Sequence, residues 1–212
     1  MKKITHPSFY HEQLYWNQGY TVVGLDEVGR GAFAGPLVAA GVMFRKGTPC
    51  KGNILEQIRD SKQLSPNIRQ VLSLEVKKNC DFFSIAEVPV TVINRVGIGR
   101  ANLIAFRKVI SDLQKKLLRQ NTFALVDGFH ISYVKGLSLK NQKAIVKGDQ
   151  VSISIAAASI IAKVYRDTLM KQLHETCKVY NFYQNKGYGT RYHRTMIKKH
   201  GITPLHRVAF CK

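Results

Sequence analysis

The chain has 212 residues, 45% of them hydrophobic, which is enough for one substantial core and too few to demand two domains. Lys and Arg number 33 against 13 Asp and Glu, a formal charge of +20 that attracts polyanions and disfavours cationic partners, so nucleic acid leads the partner classes. No run of about 18 apolar residues occurs, which argues against a membrane partner. The four cysteines, Cys50, Cys80, Cys177 and Cys211, form no Cys-x-x-Cys pair, which argues against a zinc ribbon or dense disulfides and fits a reducing cytoplasm. A chain of this size can act alone, so a monomer is the default expectation.

Thr21 to Leu25 reads as a strand ending at Asp26-Glu27, and Leu37 to Phe44 as a second after the glycine-rich turn Gly29 to Gly35, so the opening resembles a hairpin. Ser65-Pro66 supplies an N-cap and a first-turn proline for a helix reaching about Asn79, with Leu72 and Val76 at helical spacing. Phe82 to Val88 returns as a strand. An amphipathic helix spans roughly Ala101 to Arg119, with Leu103, Phe106, Ile110, Leu113 and Leu117 on one face. Phe123 to Val126 is then a strand stopping at Asp127-Gly128, and Ala144 to Val146 a short one ending near Gly148-Asp149. Ser152 to Thr176, with Ala156-Ala157-Ala158 in its middle, reads as a closely packed buried helix. Strands and helices alternate, which predicts an α/β class.

With only 13 acidic residues in the chain, Asp26, Glu27, Asp127 and Asp149 all fall at the ends of apolar strand-like segments. Sites in open α/β sheets gather at the carboxyl ends of strands, so these carboxylates are candidates for one cluster. Clustered carboxylates repel one another and need cations, and oxygen ligands select Mg²⁺ or Mn²⁺. An acidic pit in a basic body suits a two-metal phosphodiesterase. Asp26 and Glu27 are neighbours, however, and neighbouring strand side chains point to opposite faces, so both serve one site only if the strand bends. Gly29-Arg30-Gly31 follows at once and permits a tight turn, as any hairpin glycine would.

Gly24-Leu25-Asp26-Glu27-Val28-Gly29-Arg30-Gly31, followed by Ala34-Gly35-Pro36-Leu37-Val38-Ala39-Ala40, resembles the opening signature of ribonuclease HII. Asp60-Ser61-Lys62-Gln63-Leu64-Ser65, Val126-Asp127-Gly128, Lys147-Gly148-Asp149, the helix from Ala156 to Asp167, Gly187-Tyr188-Gly189-Thr190 and His206-Arg207 resemble later segments of that family in the same order. The resemblance implies a ribonuclease H-like mixed sheet flanked by helices, with a catalytic body over residues 1–180 and a small, basic, helical extension over 181–212 within the same compact unit. It implies a Mg²⁺- or Mn²⁺-dependent endonuclease acting on RNA/DNA hybrids and on ribonucleotides embedded in duplex DNA, leaving 3′-hydroxyl and 5′-phosphate ends. Asp26, Glu27, Asp127 and Asp149 match its metal-binding carboxylates, and Gly29-Arg30-Gly31 its ribose 2′-hydroxyl recognition motif. Tyr188 matches a tyrosine that stacks on the sugar after the ribonucleotide, and Lys62 stands near the substrate. The sister family, ribonuclease HIII, usually carries Lys in the Gly-Arg-Gly position and an N-terminal domain for which the twenty or so residues before the first strand leave no room. Departures from the common pattern are Ala32-Phe33, Phe129-His130 and Val208, none of which removes a carboxylate.

Asp167 reads as the partner of Arg166 or another basic neighbour rather than a fifth metal ligand. Lys163 is a phosphate-contact candidate or a solvated charge. His130, His193 and His206 have no metal-type spacing. Two other classes suit the same charge: a nuclease of this fold acting on DNA, and a non-catalytic RNA-binding protein. Basic residues thicken from Lys186 to Lys199. Neutralising Arg191, Arg194, Lys198 and Lys199 together is expected to weaken duplex binding and flatten its dependence on salt, read as the slope of log affinity against log salt. An unchanged slope would remove this tail from the binding surface.

Overall fold

The computed structural model describes residues 6–211 apart from 51, 53, 59, 60, 62, 63, 118–120, 135 and 136. A five-stranded sheet of order β3-β2-β1-β4-β5 forms its centre. The strands are β1 (Thr21–Val28), β2 (Leu37–Met43), β3 (Phe82–Val88), β4 (Thr122–Asp127) and β5 (Gln142–Ile145). β1, β2 and β3 pair antiparallel as a meander, and β4 and β5 add in parallel beside β1, so the sheet is mixed. Helices α1 (Tyr10–Trp16), α2 (Pro66–Asn79), α3 (Val90–Val96), α4 (Ile98–Leu117), α5 (Ile153–Thr176), α6 (Phe182–Asn185) and α7 (Arg191–His200) surround it.

Strand alternation distributes the apolar residues to two cores. Val22, Val38, Ala40, Val42 and Phe123 pack with α1, α2 and α5, while Val23, Leu37, Ala39, Ala124 and Val126 pack with α3 and α4. The central strands are buried on both faces, which is why they read as continuous hydrophobic runs. α5 lies directly on β1 at Gly24, where a Cβ would overlap the backbone of Ser154 and Ile155. This close approach carries the alanine-rich helix down to the carboxyl end of β1.

Ser65 caps α2 through Ile68 N–H (3.4 Å) with Pro66 in the first turn, as the sequence predicts, and Ser152 caps α5 through Ile155 N–H (3.3 Å), a cap not assigned from the sequence. Three boundaries differ from expectation. β1 continues through Asp26 and Glu27 to Val28, which still pairs with Val38. α4 begins three residues early, after the separate helix α3 that its pattern did not reveal. β5 is Gln142–Ile145 rather than Ala144 to Val146: the Gln142 side chain exchanges two 2.8 Å hydrogen bonds with the Ile131 backbone, and Val146 is exposed. All four cysteines are free thiols. Among the described residues, no helix is long and apolar enough to cross a membrane.

Gly24→Ala is expected to cost about 3 kcal/mol or more, because the obstacle is backbone rather than a movable side chain. A urea midpoint indistinguishable from the parent protein would show that α5 can lift off β1.

Candidate active site

The carboxyl ends of β1 and β4 lie side by side, and Asp26 and Asp127 follow the last registered pair, Leu25 with Val126. β1 does not bend, so Asp26 and Glu27 do point to opposite faces. Asp26 is buried against α5, where the Ser159 hydroxyl bonds to it, and Glu27 faces Asn102 of α4. Asp127, at the tip of the neighbouring strand, acts electrostatically on both and joins the two faces into one centre. The expectation that a bend must bring the pair together is therefore corrected: the next strand does so instead.

Asp149 comes from a single 3-10 turn after β5 rather than from a strand end. Lys147, in the left-handed conformation with φ 55°, turns the chain there, and Gly148 N–H donates to Asp127 Oδ1 (2.7 Å). Burial holds the Asp26 carboxyl well above its ordinary range, and Glu27, Asp127 and Asp149 raise it further. Glu27 is also raised by burial, which Arg30, 3.9 Å away, partly opposes. Four coupled carboxylates in a chain of charge +20 form a site that a divalent cation would relieve. Among the described residues, no three His, Cys, Asp or Glu side chains stand close enough together to hold a metal ion as they are placed. Carboxylate oxygens are nevertheless the donors that Mg²⁺ or Mn²⁺ takes, together with water and phosphate oxygens.

Asp26, Glu27, Gly29, Arg30, Gly31, Asp127, Ser159, Lys163 and Tyr188 line one cleft of about 480 Å³. Its far wall is the glycine-rich loop zipped to the C-terminal residues. Phe33 and Ala34 N–H donate to Gly187 O (2.8 and 3.1 Å), Gly35 N–H to Leu205 O (2.9 Å) and Arg207 N–H to Phe33 O (2.7 Å). Two fully buried guanidiniums complete the closure. Arg207 donates to Gly29 O (2.6 Å), Arg30 O (3.1 Å) and twice to Gly35 O (3.0 and 2.9 Å). Arg166 donates to Pro36 O (2.9 Å), Lys186 O (2.8 Å) and Ala34 O (3.1 Å). Gly29, at φ 92°, leaves the space that Arg166 occupies, and a Cβ there would run into the guanidinium. Burial, reinforced by the charge of Arg166, pushes the Arg207 pKa down to about 9.

Tyr188 sits between these parts, half-buried, with Arg166 5.5 Å from its ring centroid and its backbone bridged to Ala32. Its carbonyl lies 2.9 Å from Nδ1 of the buried His193, whose Nε2 is 3.1 Å from Nε2 of the buried His206. Thr203 N–H donates to His206 Nδ1 (2.9 Å). One neutral tautomer of each ring satisfies this chain: His206 Nε2–H donates to His193 Nε2, and His193 Nδ1–H donates to Tyr188 O.

Of the sequence-derived candidates, Lys62 lies outside the described residues. Its neighbour Ser61 is buried and 3.0 Å from Ser159, and Arg69 donates to Ser61 O (2.7 Å), so this motif is tied to the cleft. Asp167 pairs with Lys163 (2.7 Å) and Arg69 (3.8 Å) and not with Arg166, whose donors are all on carbonyls. Sequence reasoning missed Ser159 and Asn102, saw Arg166 only as a candidate partner of Asp167, and gave no role to Arg207. Arg207 stood beside His206 in the C-terminal motif, but nothing local marks either arginine as buried.

The whole arrangement can be compared with known proteins. The family model for Ribonuclease HII matches residues 23–212. The chain belongs to the ribonuclease HII family. The Ribonuclease HII of Chlorobium luteolum is 37% identical over 199 residues, covering 94% of this chain and 92% of that protein. The one from Wolbachia pipientis subsp. Culex pipiens is 42% identical over 189 residues, covering 89% of each. Among solved structures, the PCNA:RNase HII complex from Archaeoglobus fulgidus contains a chain 26% identical to this one, with a TM-score of 0.69 over 88% of this chain and 93% of that one. Membership makes this a metal-dependent endoribonuclease of the ribonuclease H class with a ribonuclease H-like fold.

The buried histidine pair ties stability to pH. Burial and the neighbouring His193 push His206 from 6.5 down to about 4, and burial lowers His193 as well. Between about pH 6.5 and 4 the unfolded chain binds protons that the folded chain refuses, so stability is full above this window and falls as the pH drops through it. Urea unfolding at pH 7.5, 6 and 5 is expected to show that loss, and His206→Gln to flatten it. A parent protein equally stable at pH 7.5 and 5 would remove the pair from this role.

Proposed function

We propose that this chain cuts the RNA strand of RNA/DNA hybrids and nicks duplex DNA on the 5′ side of a single embedded ribonucleotide, leaving 3′-hydroxyl and 5′-phosphate ends by two-metal-ion catalysis. The observation that carries this reading is the single cleft in which Asp26, Glu27 and Asp127 face the Gly29-Arg30-Gly31 loop and Tyr188, with Asp149 coupled to Asp26 from the turn after β5. Asp26, Glu27, Asp127 and Asp149 would hold the cations. When bound, Mg²⁺ or Mn²⁺ supplies activation of the attacking water and neutralises charge on the leaving oxygen.

The chain's own groups do the selection. The loop backbone stands where a ribose 2′-hydroxyl, at once donor and acceptor, is distinguished from a deoxyribose. Arg207 and Arg166 hold that loop to a fixed height, which gives the discrimination its steric edge. Tyr188 presents an aromatic face to the sugar following the ribonucleotide. Arg30, exposed and resting 5.7 Å from the centroid of the Phe129 ring, reaches backbone phosphate. Lys163 borders the same cleft, and the family resemblance adds Lys62 as a further substrate contact. Residues 181–212 serve as the substrate-contacting extension of the same unit.

The decisive assay is cleavage of an end-labelled DNA duplex carrying one ribonucleotide, beside an all-DNA control, in Mg²⁺, Mn²⁺ and EDTA. A metal-dependent cut 5′ of the ribonucleotide and none in the control is expected. Asp26→Asn should abolish the cut and leave duplex affinity within a few-fold, because binding depends mainly on phosphates. Equal cutting of the control would make the chain a DNA nuclease, and binding without cutting an RNA-binding protein.

A further inference from the structure

Glu12, on α1, stands outside the cleft and has no part in the chemistry described above, yet it is 0% exposed. A buried carboxylate is costly unless donors meet it. All of its donors come from the start of α5: Glu12 Oε1 accepts from Ser152 Oγ (2.6 Å), Ser154 Oγ (2.6 Å) and Ser154 N–H (2.9 Å). Its other oxygen meets no donor among the described residues, so the side chain has no second attachment. The amino end of a 24-residue helix is also where the helix dipole favours a negative group.

The place of Glu12 is fixed independently of those bonds. Phe9 and Trp16, on either side of it in the chain, pack with ring centroids 5.2 Å apart, and Phe9 packs on Phe44 at 5.4 Å. Ser8 adds a main-chain bridge, donating its N–H to Val151 O (3.2 Å) and accepting from Ile153 N–H (3.3 Å). The N-terminal segment is thus a braced arm laid along residues 151–154.

Those residues join the arm to the acidic centre. Ser152, whose hydroxyl bonds to Glu12, donates its N–H to Gly148 O (2.9 Å), and Val151 N–H donates to the same oxygen (3.1 Å). These bonds close the turn that carries Asp149. On its other side the turn is held by Gly148 N–H, which donates to Asp127 Oδ1 (2.7 Å). Glu12, Ser152 and Gly148 are all buried, so water does not compete for the connection.

We infer that Glu12 is a positioning residue for the cleavage reaction: from outside the cleft, through Ser152, it fixes the turn that presents Asp149 and thereby sets the affinity of the site for divalent cations. The inference rests on the reading of Asp149 as a metal-holding carboxylate. Glu12 itself touches neither metal nor substrate.

Mn²⁺ binding to the full chain without substrate, read from the electron paramagnetic resonance signal of the free ion, takes turnover out of the measurement. Glu12→Gln keeps the shape of the side chain and removes its charge, and Ser152→Ala cuts the connection on the α5 side. Each is expected to weaken Mn²⁺ binding about 5-fold, less than the loss typical of a group bonded directly to a ligand. In turnover, kcat should fall by a similar factor while KM for an RNA/DNA hybrid stays within about 2-fold. Amide hydrogen exchange from Gly148 to Ser152 should rise about 10-fold in Glu12→Gln, with the amides of β1 and β2 unchanged. In the Asp149→Asn background Glu12→Gln should cost little further Mn²⁺ affinity, because its effect passes through Asp149. Wild-type Mn²⁺ affinity in both Glu12→Gln and Ser152→Ala, beside an Asp149→Asn variant that has lost it, overturns the inference. So do fully additive losses in the Glu12→Gln/Asp149→Asn pair, which would make Glu12 a general support of the fold. Should Asp149→Asn bind Mn²⁺ as the wild type does, the reading of Asp149 as a metal ligand fails, and the inference falls with it.

Discussion

Two guanidiniums, Arg166 and Arg207, lie fully buried in the wall of the cleft and donate to backbone carbonyls of the glycine-rich loop and the C-terminal segment. A buried cation is costly unless its donors are occupied, and carbonyl oxygens at 2.6 to 3.1 Å occupy them without adding an opposite charge. Had carboxylates partnered these arginines, a fifth and sixth acid would stand beside the four clustered carboxylates. The loop is instead held by neutral acceptors, and the negative charge stays where the chemistry uses it.

This clamp explains why the C-terminal residues belong to the site. Residues 187–207 supply backbone partners for residues 32–35, and Ala34 packs with Met170, Tyr180 and Phe182 in a small core of its own. Phe33, a departure from the common family pattern, fills the space against Gly189 and lies under Arg194, whose guanidinium is 5.1 Å from the ring centroid. Phe129, a second departure, gives Arg30 a ring to rest on. The third, Val208, donates its backbone N–H to Asn94 Oδ1 and accepts from Cys211 N–H, with its side chain exposed. The departures change what the basic side chains lean on and leave the carboxylates alone.

The electrostatic design is one of opposites held apart by burial. A chain of charge +20 draws in a polyanion, yet the innermost groups of the cleft are acids that repel one another and would repel the substrate. Divalent cations reconcile the two, which is the physical content of metal dependence in this family. Neutral histidines beneath Tyr188 serve the opposite need: they pass hydrogen bonds through a buried region without introducing charge.

Much of this was legible in the amino-acid order. Apolar runs bounded by turn residues specify strands, Ser65-Pro66 specifies a helix start, and acids at the ends of apolar runs in a basic chain mark where chemistry gathers, because these are local or compositional signals. α3 and β5 were not legible in place, since a seven-residue helix and a four-residue strand depend on neighbours more than on their own pattern. The convergence of Asp26 and Glu27 from opposite faces was decided by strand order, which sets Asp127 beside both. The roles of Asn102, Ser159, Arg166 and Arg207 were likewise decided only in three dimensions. Each acts through partners 20 to 178 residues away, and no local pattern encodes which backbone oxygen a distant side chain will reach. Residue types and their order thus determined the family and its acids, while tertiary packing determined the height of the loop and the pairing of the faces, because these depend on distances between segments rather than on any one of them.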